Sequence, residues 1–177
     1  MKNSNGFTLV EVIITLVVVA IIMAVGIPGL SSMMANNQAI ANSNDLITAL
    51  SFSRNESVKR GTRISICAKS PTAQGNFTCG AGNNDWSNGW FAFVDSNGSA
   101  AADYSPTSEN QLRSWPAPSG NFTMTGPVSV GFNSSGTIQG NAAIALTIKY
   151  SHCTGQQNRT IIIATTGHTS ITKEPCA

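Results

Sequence analysis

Charge is scarce in this chain: of 177 residues, 10% are Asp, Glu, Lys or Arg, where soluble domains carry about 25%. Asn, Ser and Thr supply the hydrophilicity instead, a surface of extracellular rather than cytosolic character. Ten basic and eight acidic side chains leave a formal net charge of +2. No global field therefore draws the protein to nucleic acid or to an anionic membrane, and a nucleic-acid role requires a local patch. The four cysteines include no CxxC pair, which argues against a zinc site. Ser134 stands in GxxSxG rather than the GxSxG of a nucleophile elbow, so a hydrolase reading fails on spacing and the segment reads as a turn. Asp95 to Asp103 has the look of a calcium loop, but its twelfth position is Pro106, so the bidentate glutamate is missing. His152 and His168 have no partner set that would make them catalytic or metal-binding. Sequons such as Asn121-Phe122-Thr123 reflect the Asn/Ser/Thr-rich composition, and no glycan follows from them. The length suits one compact domain plus an appendage and excludes a large multidomain enzyme.

What the sequence does have is a long apolar run. From Phe7 to Leu30 almost every residue is apolar, and Glu11 is the only charge between Lys2 and Asp45. About 20 such residues span a bilayer. A secretory signal would need a small-residue cleavage site after the run, and Met23-Ala24-Val25-Gly26 is a weak one. A signal peptide also leaves Glu11 unexplained. A carboxylate in an apolar span costs at least about 2.5 kcal/mol and marks a function.

The segment Met1-Lys2-Asn3-Ser4-Asn5-Gly6 followed by Phe7-Thr8-Leu9-Val10-Glu11 resembles the type III signal of type IV prepilins. The resemblance implies that prepilin peptidase cleaves between Gly6 and Phe7 at the cytoplasmic face, N-methylates Phe7 and removes residues 1–6. The apolar segment, residues 7–30, is then kept as a transmembrane and filament-core helix. Pro28 falls where pilins carry a helix-distorting proline. Its missing N–H and its ring, aided by Gly26 and Gly29, should kink or locally melt the helix. Glu11, buried among bundled helices, would be neutralised by the methylated N-terminal amine of a neighbouring subunit and lock the register. The alternative is that Glu11 merely sits near the helix start, where the macrodipole favours an anion.

Residues 31–60 contain no proline, and Ile40, Leu46, Ile47, Leu50 and Val58 recur at helical spacing, which predicts an amphipathic continuation of the same helix. A helix from Phe7 to Lys59 would be roughly 80 Å long at 1.5 Å per residue, with its hydrophobic half protruding. Past Gly61, residues 61–177 read as a β-rich head. Strands are expected at Arg63 to Ala68, Trp90 to Val94, Val128 to Phe132, Ile144 to Tyr150 and Thr160 to Ala164. The expected class is α+β, a long N-terminal helix packed on antiparallel β-sheets. The continuous run Ile161-Ile162-Ile163 predicts a central strand buried on both faces. Ala100 to Gly126, interrupted by Pro106, Pro116 and Pro118, predicts loop.

The head is similar to that of the GspH/FimT/FimU-type minor pilins and pseudopilins. The matching segments are Ser53 to Gly61, Trp86 to Asp95 with its Gly89-Trp90 pair, Phe132-Asn133-Ser134-Ser135-Gly136, and Arg159 to Gly167. The resemblance implies a filament component without catalysis or cofactor. Its partners would be minor and major pilins, prepilin peptidase and, before assembly, the inner membrane. The head would face the periplasm and later form part of a pilus or pseudopilus. Export places the cysteines in an oxidising compartment and favours disulfides over a metal site. Four cysteines allow three pairings; the sequential one, Cys67 with Cys79 and Cys153 with Cys176, closes a short loop and ties the tail to a strand.

Three roles are open: a minor pilin that primes or tips a type IV pilus, a DNA-binding minor pilin for transformation, and a type II secretion pseudopilin. DNA-binding members of this branch carry GRxR near the C-terminus, where this chain has Gly167-His168-Thr169-Ser170. DNA contact would have to come from Arg54, Lys59, Arg60, Arg63, Lys149, Arg159 or Lys173, because phosphate needs persistent cations.

Overall fold

A computed structural model describes residues 6–71, 77–79, 84–96, 98, 111–151, 153 and 155–176. The described chain is one helix, α1 (Leu9–Arg60), followed by nine strands: β1 (Ile64–Pro71), β2 (Phe77–Cys79), β3 (Trp90–Val94), β4 (Gln111–Trp115), β5 (Phe122–Thr125), β6 (Ser129–Phe132), β7 (Ile144–Tyr150), β8 (Asn158–Ile163) and β9 (Thr169–Glu174). The class is α+β with all described strand pairings antiparallel. Two compact units divide the chain, residues 1–37 and 38–177.

In the first unit α1 runs unbroken through Gly26, Pro28 and Gly29. Of the two outcomes expected at Pro28, a kink or local melting, melting does not occur, and the backbone on both sides is helical.

In the second unit the strands form two sheets. β1 is central in the first, with β3 along one side and both β6 and β2 paired along its length, while β4 extends the sheet beyond β3. The other has the order β5-β7-β8-β9. Leu46, Ala49 and Leu50 of α1, with Ile64, Ile66, Trp86, Trp90, Met124, Leu146, Ile148, Ile161 and Ile163, form a single core. A smaller cluster of Cys67, Cys79, Phe91 and Phe93 closes the opposite face of the first sheet.

The stripe by which α1 joins this core differs from the expected one. Ile40 and Val58 are exposed, and the buried positions are Ala39, Asn42, Ser43, Leu46, Ala49, Leu50, Ser53 and Ser57. Alanine or serine holds five of these eight positions. Ser43 and Ser53 are buried because each hydroxyl donates to the carbonyl one turn earlier, at Ala39 (2.7 Å) and Ala49 (2.9 Å).

Two further expectations fail. β8 is indeed flanked by β7 and β9, but Ile162 is 37% exposed while Ile161 and Ile163 are buried, because this sheet carries core on one face only. The region expected to be loop contains β4 and β5. β4 has little apolar alternation, and its register comes from pairing with β3; β5 has a clean one, with Phe122 and Met124 buried and Thr123 and Thr125 exposed.

Candidate assembly segment and nucleic-acid surface

The N-terminal candidates share one element. Gly6 and Phe7 precede α1, and Thr8 caps it: the Glu11 amide donates to Thr8 Oγ1 at 3.3 Å. Thr8-Leu9-Val10-Glu11 therefore has the S/T-x-x-E spacing of a capping box, a signal that sequence reading passed over. Glu11 lies in the first turn, where the macrodipole favours an anion. On both sides of it, Leu9, Val10, Val12, Ile13, Ile14, Leu16, Val17, Val18, Val19, Ile21, Ile22 and Met23 are all exposed. The helix is long and apolar enough to cross a membrane. A continuous apolar surface of this kind has to be covered by lipid or by other apolar helices.

The candidate cations differ in what holds them. Arg54 donates from Nε to the Gly136 carbonyl and from a terminal nitrogen to the Thr166 carbonyl, each at 3.0 Å. It thereby ties α1 to the β6–β7 turn and the β8–β9 turn. Those turns meet backbone to backbone: Gly136 and Gly167 both have positive φ, and a Cβ on Gly167 would collide with the Gly136 carbonyl oxygen. This contact explains two of the glycines in the resembling segments. Lys59 and Arg60 flank Glu56 at 3.7 and 2.6 Å, and the hydrogen bond from Arg60 holds the Glu56 carboxyl below the usual carboxylate range.

Arg159 is a correction to the candidate set. It is 2% exposed, and its guanidinium donates to the Gln156 and Asn158 carbonyls, so it is not a surface phosphate contact. The reason is strand parity: Arg159 points to the same side as Ile161 and Ile163, toward the core. Lys149 and Lys173 are exposed but point from opposite faces of their sheet, since Lys173 pairs with Arg159, which pairs with Ile148, the neighbour of Lys149. Arg63 lines an open polar cleft of about 600 Å³ with Gly61, Thr62, Asp95, Ser96, Gly98, Asn133 and Ser134. Asp95 is buried there, accepting from Ser65 Oγ and the Gly98 amide, each at 2.8 Å. Lys149 and Lys173 thus leave opposite faces of one sheet and Arg159 is buried, whereas salt-dependent phosphate tracking needs several cations on one face.

Cys67 is bonded to Cys79, and Cys153 to Cys176. Ser134 lies in a tight turn in which the Gly136 amide donates to the Asn133 carbonyl at 2.8 Å. Among the described residues no cluster of His, Cys, Asp and Glu is arranged to hold a metal. His152, and the calcium-like loop beyond Gly98 with Asp103 and Pro106, lie outside the described residues. Lys69 is a buried titratable group that sequence reading missed: it is 5% exposed, donates to the Trp115 carbonyl, and burial lowers its pKa.

The family model described as type II transport protein GspH matches residues 42–167, and the prokaryotic N-terminal methylation motif matches residues 1–27. The chain belongs to the GspH family. It is thus a member of the minor pilins and pseudopilins, carrying a methylation motif on an apolar helix. Two crystal structures of the Pseudomonas aeruginosa PAO1 type IV minor pilin FimU are similar to this GspH-family chain, each at 22% identity. Their TM-scores are 0.49 and 0.47, over 84% and 81% of this chain and 91% and 92% of theirs. No curated protein matches significantly.

Proposed function

We propose that this protein is a minor pilin that primes assembly of a type IV pilus, or sits at its tip, and carries out no catalysis. The observation that carries the reading is the methylation motif at the head of an exposed apolar helix whose first turn holds Glu11. Prepilin peptidase would cleave between Gly6 and Phe7 and methylate the new amine at Phe7. The retained helix, residues 7–30, would hold the protein in the inner membrane with its head in the periplasm until it joins a filament. Pro28 lies in this helix and would bend it during packing. Inside a helix bundle, an unpaired Glu11 carboxylate is costly, and a methylated amine from the adjacent subunit offsets that cost only at one axial register. Charge pairing would thus couple insertion of a subunit to its alignment with other pilins.

Replacing Glu11 with Val is expected to leave membrane insertion intact and to reduce recovery of the protein in sheared filaments severalfold. Immunoblots of the membrane and filament fractions provide the check, and undiminished incorporation with normal filament numbers contradicts the mechanism. Replacing Gly6 is expected to leave the unprocessed form, read as slower migration.

A second reading, a pseudopilin of a type II secretion machine, is favoured by the description of the matching family as a type II transport protein. Deletion separates the two: loss of surface filaments supports the pilus, and loss of exported enzymes with filaments intact supports the secretion machine. DNA binding has less support, because Arg54, Lys59, Arg60 and Arg159 already bind carbonyls or Glu56.

A further inference from the structure

The sheet β5-β7-β8-β9 ends at β9, and among the described residues nothing pairs with the outer edge of that strand. The register shows which groups lie open. The Ala164 amide donates to the His168 carbonyl at the mouth of the β8–β9 hairpin, so by antiparallel alternation Ser170, Thr172 and Glu174 bond to β8. The N–H and C=O groups of Thr169, Ile171 and Lys173 therefore point away from the sheet. Proline enters only at Pro175, past the end of the strand. An open row of this kind is a template for one more strand.

Beside this edge lies a recess of about 200 Å³ lined by Ile40 and Asn44 of α1, Arg159 of β8, and Ile171 and Lys173 of β9. Ile171 is 44% exposed and Ile40 43%. The recess thus has an apolar floor with the exposed Lys173 beside it, and no described carboxylate lines it. The spacing matches the strand repeat: Ile171 and Lys173 are two residues apart and project to the same side, so an added strand would set its own alternate side chains opposite them.

We propose that the β9 edge and this recess form a docking site for an extended acidic peptide segment of another polypeptide, added to the sheet as a further strand. Its recognition element is an aliphatic residue opposite Ile171 and a carboxylate two positions away opposite Lys173. Backbone hydrogen bonds to Thr169, Ile171 and Lys173 supply affinity. The apolar floor and Lys173 supply selectivity. This site uses no residue of the apolar segment 7–30 and is independent of the filament reading.

The test uses the full chain in detergent micelles and the peptide acetyl-Ser-Glu-Thr-Val-Thr-Glu-Ser-amide, which meets the spacing in either strand direction. Saturable binding is expected by fluorescence anisotropy of the labelled peptide. Lys173→Glu should weaken it by about tenfold and should reverse the preference in favour of the same peptide with lysine in place of both glutamates, since like charges in contact are excluded. Ile171→Pro removes an outward N–H that is not bonded to β8 and should abolish binding while the thermal transition persists. Should that variant fail to fold, the charge-swapped pair decides alone. No saturation at millimolar peptide, equal binding of both peptides to Lys173→Glu, or undiminished binding to folded Ile171→Pro overturns the proposal. Equal binding of both peptides by the unsubstituted chain would mean that Lys173 only guards the edge against pairing, and also overturns it.

Discussion

The two ends of one helix solve opposite problems. Residues 9–23 are nearly all large aliphatics and are exposed, whereas residues 39–57 bury alanines and serines beside two leucines. Hydrophobicity alone would predict the reverse. In the first unit the described aliphatic side chains are exposed, and a surface of that kind is covered by lipid or by other helices. In the second, Ala39, Ser43, Ala49 and Ser53 are buried beside Leu46 and Leu50, and the Ser43 and Ser53 hydroxyls are satisfied by carbonyls one turn earlier. Burial along α1 thus does not follow side-chain hydropathy.

Glycine substitutions break that comparison most sharply. Gly167 has φ +78 and lies against the Gly136 carbonyl, while a Cβ at Gly26 meets nothing within 4 Å. Gly167→Ala is expected to destabilise the 38–177 unit by roughly 4 kcal/mol, through the collision, the left-handed strain and the disturbed Arg54 contact. Gly26→Ala should leave the same unfolding transition in place. Chemical denaturation of the full chain in detergent, followed by tryptophan fluorescence, measures both; Trp86, Trp90 and Trp115 all lie in the core.

Paired leucine truncations give the next largest effect. Leu46 is fully buried and Leu16 is 63% exposed. Leu46→Ala should lower stability by about 3 kcal/mol, the transfer and cavity contributions together, and Leu16→Ala should leave the denaturation midpoint unchanged. Equal loss in both would mean that the two units do not differ in how their leucines are covered.

Legibility in the sequence divides along the same line. The N-terminal segment was readable because contiguous apolarity, one carboxylate and the leader motif are local signals. β5 was readable in principle from the alternation of Phe122 and Met124 with threonines, but nearby prolines outweighed it. β4 was not, because Gln111-Leu112-Arg113-Ser114 carries no apolar period and its pairing is set by β3. The serine stripe of α1 and the burial of Arg159 also depend on partners distant in sequence. Local periodicity contains no record of which strand will lie across a serine, or of which carbonyls will receive a guanidinium.

The smallest expected effect concerns the buried cation. Burial lowers the pKa of Lys69 from 10.5, so between the lowered value and 10.5 the unfolded chain binds more protons than the native one. Stability then rises with pH across that window and is lost as pH falls through the folded-state pKa. Tyr150 acts with the opposite sign. Its pKa is raised from 10.0, chiefly by burial and against the Asn42 hydrogen bond, so its contribution is complete below 10.0 and fades as pH rises toward the folded-state value. A wild-type stability curve mixes the two, whereas Lys69→Met removes one and keeps the length of the stem. The difference between the two chains, measured by denaturation from about pH 7 upward, should favour the variant most at the low end and shrink as pH approaches 10.5. A difference that stays constant with pH would mean that the Trp115 carbonyl fully compensates the buried ammonium.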